Sequence, residues 1–223
     1  MEGMQGMIRC GFIAGLLIAC HTSSPGTPDG PDAGGSGASG MHVTFVTKPA
    51  MIPGNIEDWL TLDSATFQFD NLRVIGDAGP GDPRTTATAF QLKWDSAGAP
   101  APIDFADAPS GLYSKVSLQI DGQLVVESYH LKGQVNLNGT WKTYTIEDRN
   151  ALSLSLDINR TLAPGGTATI GLLFSFSDAL TGIDYSMLPT DDGALEMETT
   201  NAQMPAFRTR LTDGISIDVS VTN

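Results

Sequence analysis

The chain has 223 residues, of which 41% are hydrophobic, 25 are acidic and 12 are basic, giving a formal net charge of −13. This length and hydrophobic content predict one domain, or two small ones, with a core of its own. The basic residues are scattered, which excludes the concentrated positive face that nucleic-acid binding requires. The excess of acidic residues opposes docking on an anionic membrane surface through protein charge.

The first predicted element is a secretory signal peptide that occupies residues 1–19. Residues 10–19 form an apolar run that is shorter than the roughly 20 residues needed to cross a bilayer, but it matches the apolar region of a signal. Arg9 supplies the basic flank. Glu2 opposes this flank, so a start at Met4 or Met7 would give a better signal.

Cys20 follows this run, and the prediction of cellular location rests on it. The sequence Leu17-Ile18-Ala19-Cys20 resembles the bacterial lipobox. The resemblance implies that the signal is cleaved before Cys20, and that diacylglycerol and fatty acids such as palmitate modify this residue. It implies a cell-envelope lipoprotein, and His21 favours the outer membrane of a Gram-negative bacterium. The alternative is an ordinary signal peptide whose cysteine is incidental.

Residues 20–40 are predicted to be a disordered linker between the acylated cysteine and the folded part. Glycine, proline and serine dominate this segment, and no large apolar side chain compensates the entropy of ordering the backbone. Cys10 is removed with the signal and Cys20 carries lipid, so the folded part contains no thiol. Disulfides and cysteine metal sites are therefore excluded there, and the domain depends on its hydrophobic core.

Residues 41–223 are predicted to fold as one β-domain, because hydrophobic residues alternate with polar ones. The clearest segments are 88–94, 113–121, 152–158 and 215–221. Weaker strands are predicted at 42–47, 64–76, 123–137, 141–146, 167–176 and 194–200. About ten strands with regular turns predict an all-β, antiparallel β-sandwich. A division into two smaller sandwiches near residue 110 is the alternative.

Local signals add detail to this prediction. The hydrophobic phase changes within 64–76, which predicts a β-bulge at Asp70-Asn71. Asn138-Gly139 predicts a tight hairpin turn. One short helical turn is predicted within 178–188, and no other part of the domain shows a helical period.

The segment 105–116, FADAPSGLYSKV, carries a resemblance to a known group of proteins. Together with the lipobox and the linker, it resembles uncharacterised bacterial lipoproteins with a transthyretin/immunoglobulin-like β-sandwich domain of unknown function. The resemblance covers about residues 42–223 and implies a sandwich fold and an envelope location. It supplies no catalytic residues.

The sequence offers little for catalysis, and we expect no enzyme. HExxH and GxSxG are absent, and no glycine-rich loop joins a strand to a helix. Asp77 and Asp82 lie in a glycine-rich acidic loop and are candidate Ca²⁺ ligands, because calcium prefers carboxylate and carbonyl oxygens from flexible loops. The alternative is that both residues are ordinary solvated aspartates of a turn. Apart from this candidate calcium site, no cofactor is expected.

Aromatic residues give a second candidate site. Trp94 has the same parity as Phe90 and Leu92, which predicts a core position. Trp141 and Tyr144 have opposite parity, so at least one is expected to be exposed. An exposed ring of either residue is a candidate for stacking on a sugar, and core packing of both is the alternative.

The sequence therefore predicts a lipid-anchored, non-catalytic structural or binding module of the cell envelope with an unidentified ligand. The first alternative is a carbohydrate- or adhesion-type binding protein that uses exposed aromatics, with or without Ca²⁺. The second is an envelope hydrolase with a paired-carboxylate site. The expected partners are the membrane, through the lipid, and a glycan or an envelope protein.

Overall fold

The computed structural model describes residues 39–77, 79–122, 126–218 and 220. The predicted signal peptide, Cys20 and nearly all of the linker lie outside these residues. The strands of the described part are β1 (Gly40–Lys48), β2 (Gly54–Glu57), β3 (Leu60–Gly76), β4 (Thr86–Trp94), β5 (Ile103–Phe105), β6 (Gly111–Ile120), β7 (Tyr129–Leu137), β8 (Thr140–Asp148), β9 (Leu152–Leu162), β10 (Thr167–Ser175), β11 (Thr190–Asp191), β12 (Ala194–Met197) and β13 (Ile215–Asp218).

These strands form two sheets, which confirms the predicted β-sandwich. The smaller sheet has the strand order β13-β10-β1-β5. The larger sheet follows β11-β12-β8-β7-β3-β6-β9, and β2 and β4 also pair with β3. Most pairs are antiparallel, as predicted, but β1 pairs with β10 and β8 pairs with β12 in parallel. Parallel neighbours are joined by long crossovers, which the alternation within a single strand does not reveal.

The 17-residue strand β3 organises the larger sheet. Its first half pairs with β7 and its second half with β6. Both partners lie on the same edge, because the Gln68 carbonyl accepts from the Asp121 N–H and the Gln68 N–H donates to the Ser128 carbonyl, each at 2.9 Å. β4 pairs along the other edge of β3, so its final residue, Trp94, lies at a border of the larger sheet.

Buried aromatic rings join the two sheets at the centre of the core. The ring centroid of Phe67 on β3 lies 6.1 Å from that of Trp94 and 5.5 Å from that of Phe174 on β10. Phe67 and Phe174 are fully buried, and Trp94 is 3% exposed. The predicted core position of Trp94 is therefore confirmed.

Two predicted local features are also confirmed. The register of β3 against β6 shifts at Asp70-Asn71, where the bulge is predicted. Asn138 and Gly139 have φ angles of 53° and 85°, the left-handed values that a tight two-residue hairpin requires. The strand predicted at 123–137 differs, since β7 begins at Tyr129.

Of the two predictions about helices, one is confirmed and one is wrong. α1 (Ser177–Thr181) and the 3₁₀ turn Tyr185–Met187 confirm the helical turn predicted within 178–188. The expectation of no further helix is wrong, because α2 (Met204–Asp213) packs against the core. The helices of the described residues are all too short or too polar to cross a membrane. The buried side chains of α2 follow a helical spacing over a short run and are Met204, Phe207 and Leu211.

Candidate functional site

The two candidate calcium ligands are engaged with protein groups. The Asp77 carboxylate accepts from the Leu112 N–H at 3.3 Å. The Asp82 carboxylate accepts from the main-chain N–H of Arg84 at 2.9 Å and from its guanidinium at 2.7 Å. These hydrogen bonds from Arg84 lower the pKa of Asp82. Within the described ranges, no three His, Cys, Asp or Glu side chains cluster as ligands for a metal.

The two candidate sugar-stacking residues lie on opposite faces of β8. Trp141 is 46% exposed, whereas Tyr144 is fully buried. The Tyr144 hydroxyl donates to the Thr61 carbonyl at 2.7 Å, and its ring packs 5.1 Å from that of Tyr185. Burial raises the pKa of Tyr144 well above its ordinary value. The prediction that one of the two is exposed is confirmed, but Tyr144 offers no ring face to a sugar.

Asp148, the last residue of β8, is the one charged side chain that is fully buried in the described part of the chain. Arg208 on α2 donates to its two carboxylate oxygens at 2.6 and 2.8 Å, and the Tyr129 hydroxyl donates at 2.7 Å. Burial alone would raise the pKa of Asp148, but these hydrogen bonds lower it below its ordinary value. A carboxylate that is kept ionised and fully hydrogen-bonded ties α2 to the sheet and is a poor general acid.

A cleft of about 460 Å³ opens beside the ends of β1 and β4, and we call it the β1–β4 cleft. Its walls come from the end of β1, from residues 50–53 and from the turn after β4. This volume lies within the range of small-ligand sites, roughly 300–1,000 Å³. The side chains that define its character are Phe45, Val46, Thr47, Met51, Trp94 and Asp95.

The β1–β4 cleft is largely apolar. Trp94 forms part of its wall, and the indole N–H has no hydrogen-bond partner among the described residues. Asp95 is the charged lining residue, but its carboxylate is already engaged. Lys93 Nζ lies 2.7 Å from one oxygen and the Ala97 N–H donates to the other at 2.8 Å, and these contacts lower the pKa of Asp95.

Comparison of this chain with protein-family models, with curated protein sequences and with solved structures gives no match. Its function is therefore inferred from the geometry of its own residues. The β1–β4 cleft combines a ligand-sized volume with an apolar wall built from separate segments. The space of about 560 Å³ beside Asp82 is a shallower depression formed by residues 79–84 alone.

The sequence pattern does not predict the β1–β4 cleft. Its residues come from separate segments, 45–53 and 94–99, and alternation within either segment says nothing of the space between them. The available signal is the set of prolines around both segments, since proline ends or borders strands. These residues are Pro49, Pro53, Pro100 and Pro102.

Proposed function

We propose that this protein is a non-catalytic binding module that a lipid on Cys20 holds at the cell envelope, with the β1–β4 cleft as its ligand site. The cleft carries this proposal, because it offers an apolar wall and about 460 Å³ of space. The carboxylate of Asp95, which lines it, is already paired with Lys93. The anchor and the kinship with transthyretin/immunoglobulin-like envelope lipoproteins rest on the resemblances in the sequence.

The β1–β4 cleft lies at the end of β1 that is far from the linker. The linker joins the described domain at Ser39, just before β1, whereas the cleft lies at the Lys48 end of this strand. Nine strand residues span about 30 Å. The cleft thus opens at the opposite end of β1 from the point where the linker enters the domain.

Dye binding tests the β1–β4 cleft as a ligand site. The Cys20→Ser full chain is titrated with 1-anilinonaphthalene-8-sulfonate, whose fused rings match an apolar cavity of this size. We expect saturable fluorescence that is lost in Ala99→Phe, because Ala99 lines the cleft and a phenyl ring would fill it. The control Ala106→Phe changes an exposed residue outside the lining and keeps the binding. Equal binding by both variants, or none by the parent chain, would reject the site.

A carbohydrate-binding function is the second candidate, and the exposure of Trp141 favours it. A glycan array with the Cys20→Ser full chain, with and without calcium, tests this function directly. Binding that is lost in Trp141→Ala but kept in Ala99→Phe would assign the ligand to the outer face of β8 and not to the cleft.

A further inference from the structure

We propose that the β1–β4 cleft binds an extended peptide segment of another protein, which pairs with the open edge of β1 and places an apolar side chain against the cleft wall. This inference rests on the proposed function, since it names the ligand class of the same cleft. Three features of the described residues support it: the direction of the β1 backbone groups, the end of the β5 pairing and the shape of the cleft.

The main-chain groups of β1 point alternately to its two edges. The Gly40 N–H donates to the residue that precedes β10, and the Lys48 carbonyl accepts from the residue that follows β10, both at 3.0 Å. Even-numbered residues of β1 therefore face β10. Phe45 and Thr47 direct their N–H and C=O groups to the opposite edge.

That opposite edge is only partly covered. β5 pairs with β1 as far as Val43, which is opposite Ile103. Pro100 and Pro102 precede Ile103, and proline has no N–H with which to continue a ladder. Over the described ranges, no strand pairs with β1 beyond Val43 on this side. The main-chain groups of Phe45 therefore have no strand partner there.

The β1–β4 cleft surrounds this uncovered edge. Phe45 and Val46 both line it, although consecutive strand residues point to opposite faces of a sheet. The cavity therefore follows the edge of β1 and does not lie on a single face. Trp94 forms a wall across from β1, and Met51, which is 75% exposed, stands at the rim. The site combines a short hydrogen-bonding edge with an apolar pocket.

An extended peptide satisfies both parts of this site. Its alternate N–H and C=O groups have the spacing of those of Phe45 and Thr47, and an intervening side chain enters the pocket. A hydrocarbon or a flat ring would fill the volume but leave these main-chain groups without partners, which is unfavourable once water is displaced. Because the Asp95 carboxylate is already engaged, the peptide needs no positive charge.

Fluorescence anisotropy with the Cys20→Ser full chain tests this proposal. The probes are the peptides acetyl-Thr-Val-Thr-Z-Thr-Lys(fluorescein)-amide, where Z is Val, Leu, Met, Phe or Trp. Thr47→Pro removes one N–H from the open edge and keeps the ladder to β10, so the binding of the best probe should weaken roughly three- to tenfold. The control Ala106→Phe changes an exposed residue outside the lining of the cleft, so its affinity for the probe should be unchanged.

Two N-methylated forms of the best probe keep the test independent of the folding of Thr47→Pro. One is methylated on the main-chain nitrogens of residues 2 and 4, and the other on those of residues 3 and 5. A paired peptide uses the N–H groups of alternate residues only. Methylation of that set should abolish binding, and methylation of the other set should leave it intact. Equal affinities of the two forms, or no peptide binding at about 1 mM while the dye still binds, overturn the peptide proposal alone. Absence of both dye and peptide binding overturns the proposed function as well.

Discussion

Arg208 reaches from α2 to the buried Asp148 carboxylate, and this pair supports a prediction at the scale of single residues. Arg208→Met leaves the carboxylate buried without its cation, so the free energy of unfolding should fall by about 3–5 kcal/mol. The control is Arg210→Met, because Arg210 makes an exposed hydrogen bond to the Gly182 carbonyl. Urea unfolding measures both variants, and an equal effect of the two changes would contradict the structural role given to Asp148.

The lowered pKa of Asp148 predicts a loss of stability in acid. Its pKa is below the ordinary value of 3.8 in the folded protein, so the ionised carboxylate stabilises the fold above that value. This contribution disappears as the pH falls through the folded pKa. Urea unfolding between about pH 5 and about pH 2 should show a smaller decline for Asp148→Asn than for the parent chain. Parallel declines would show that Asp148 titrates alike in both states.

The burial of single residues could be predicted from parity, but the residues that contact them could not. The period of two places Trp94 in the core and separates Trp141 from Tyr144 across β8, as the structure confirms. The partner of Asp148 lies 60 residues further along the chain, on a helix that the pattern does not predict. Contacts of this kind depend on the tertiary fold and leave no local signal.

At the scale of elements, the clear alternating segments predict strands well because one face of each is buried. β4, β6, β9 and β13 all appear where this alternation is strongest. The short strands β2 and β5 have too few residues to show a period, and the ten residues of α2 present fewer than three helical turns. The order of the strands and the two parallel pairs depend on contacts between distant segments, so the pattern within single strands could not predict them.

The difference between central and edge strands predicts unequal effects of core truncation. Leu172 on β10 is fully buried, whereas Leu154 on β9 is only partly buried, because β9 ends the larger sheet. Leu172→Ala should lower the free energy of unfolding by about 2–5 kcal/mol, and Leu154→Ala by about half as much. Chemical denaturation measures both. A larger loss for Leu154→Ala would mean that the inward face of β9 is more deeply covered than the structure shows.

At the scale of the whole molecule, the predicted lipid anchor on Cys20 rests on the sequence alone. Cys20→Ser removes the acylated thiol, so the protein should leave the membrane fraction while its circular dichroism spectrum keeps its β character. His21→Ser is the matched control and should remain with the membranes. Fractionation and mass spectrometry of the mature N-terminus measure the outcome, and an unmodified residue 20 in the mature parent chain would contradict the anchor.

The open edge of β1 is the feature on which the proposed binding function depends, and amide hydrogen exchange tests it most directly. In the Cys20→Ser full chain, the amides of Thr44 and Val46 face β10, whereas those of Phe45 and Thr47 face the β1–β4 cleft. We predict slow exchange for the first pair and exchange at least about tenfold faster for the second, which bound peptide then slows. Equal, strong protection of all four amides in the free protein would show that the edge is already paired and would contradict this account.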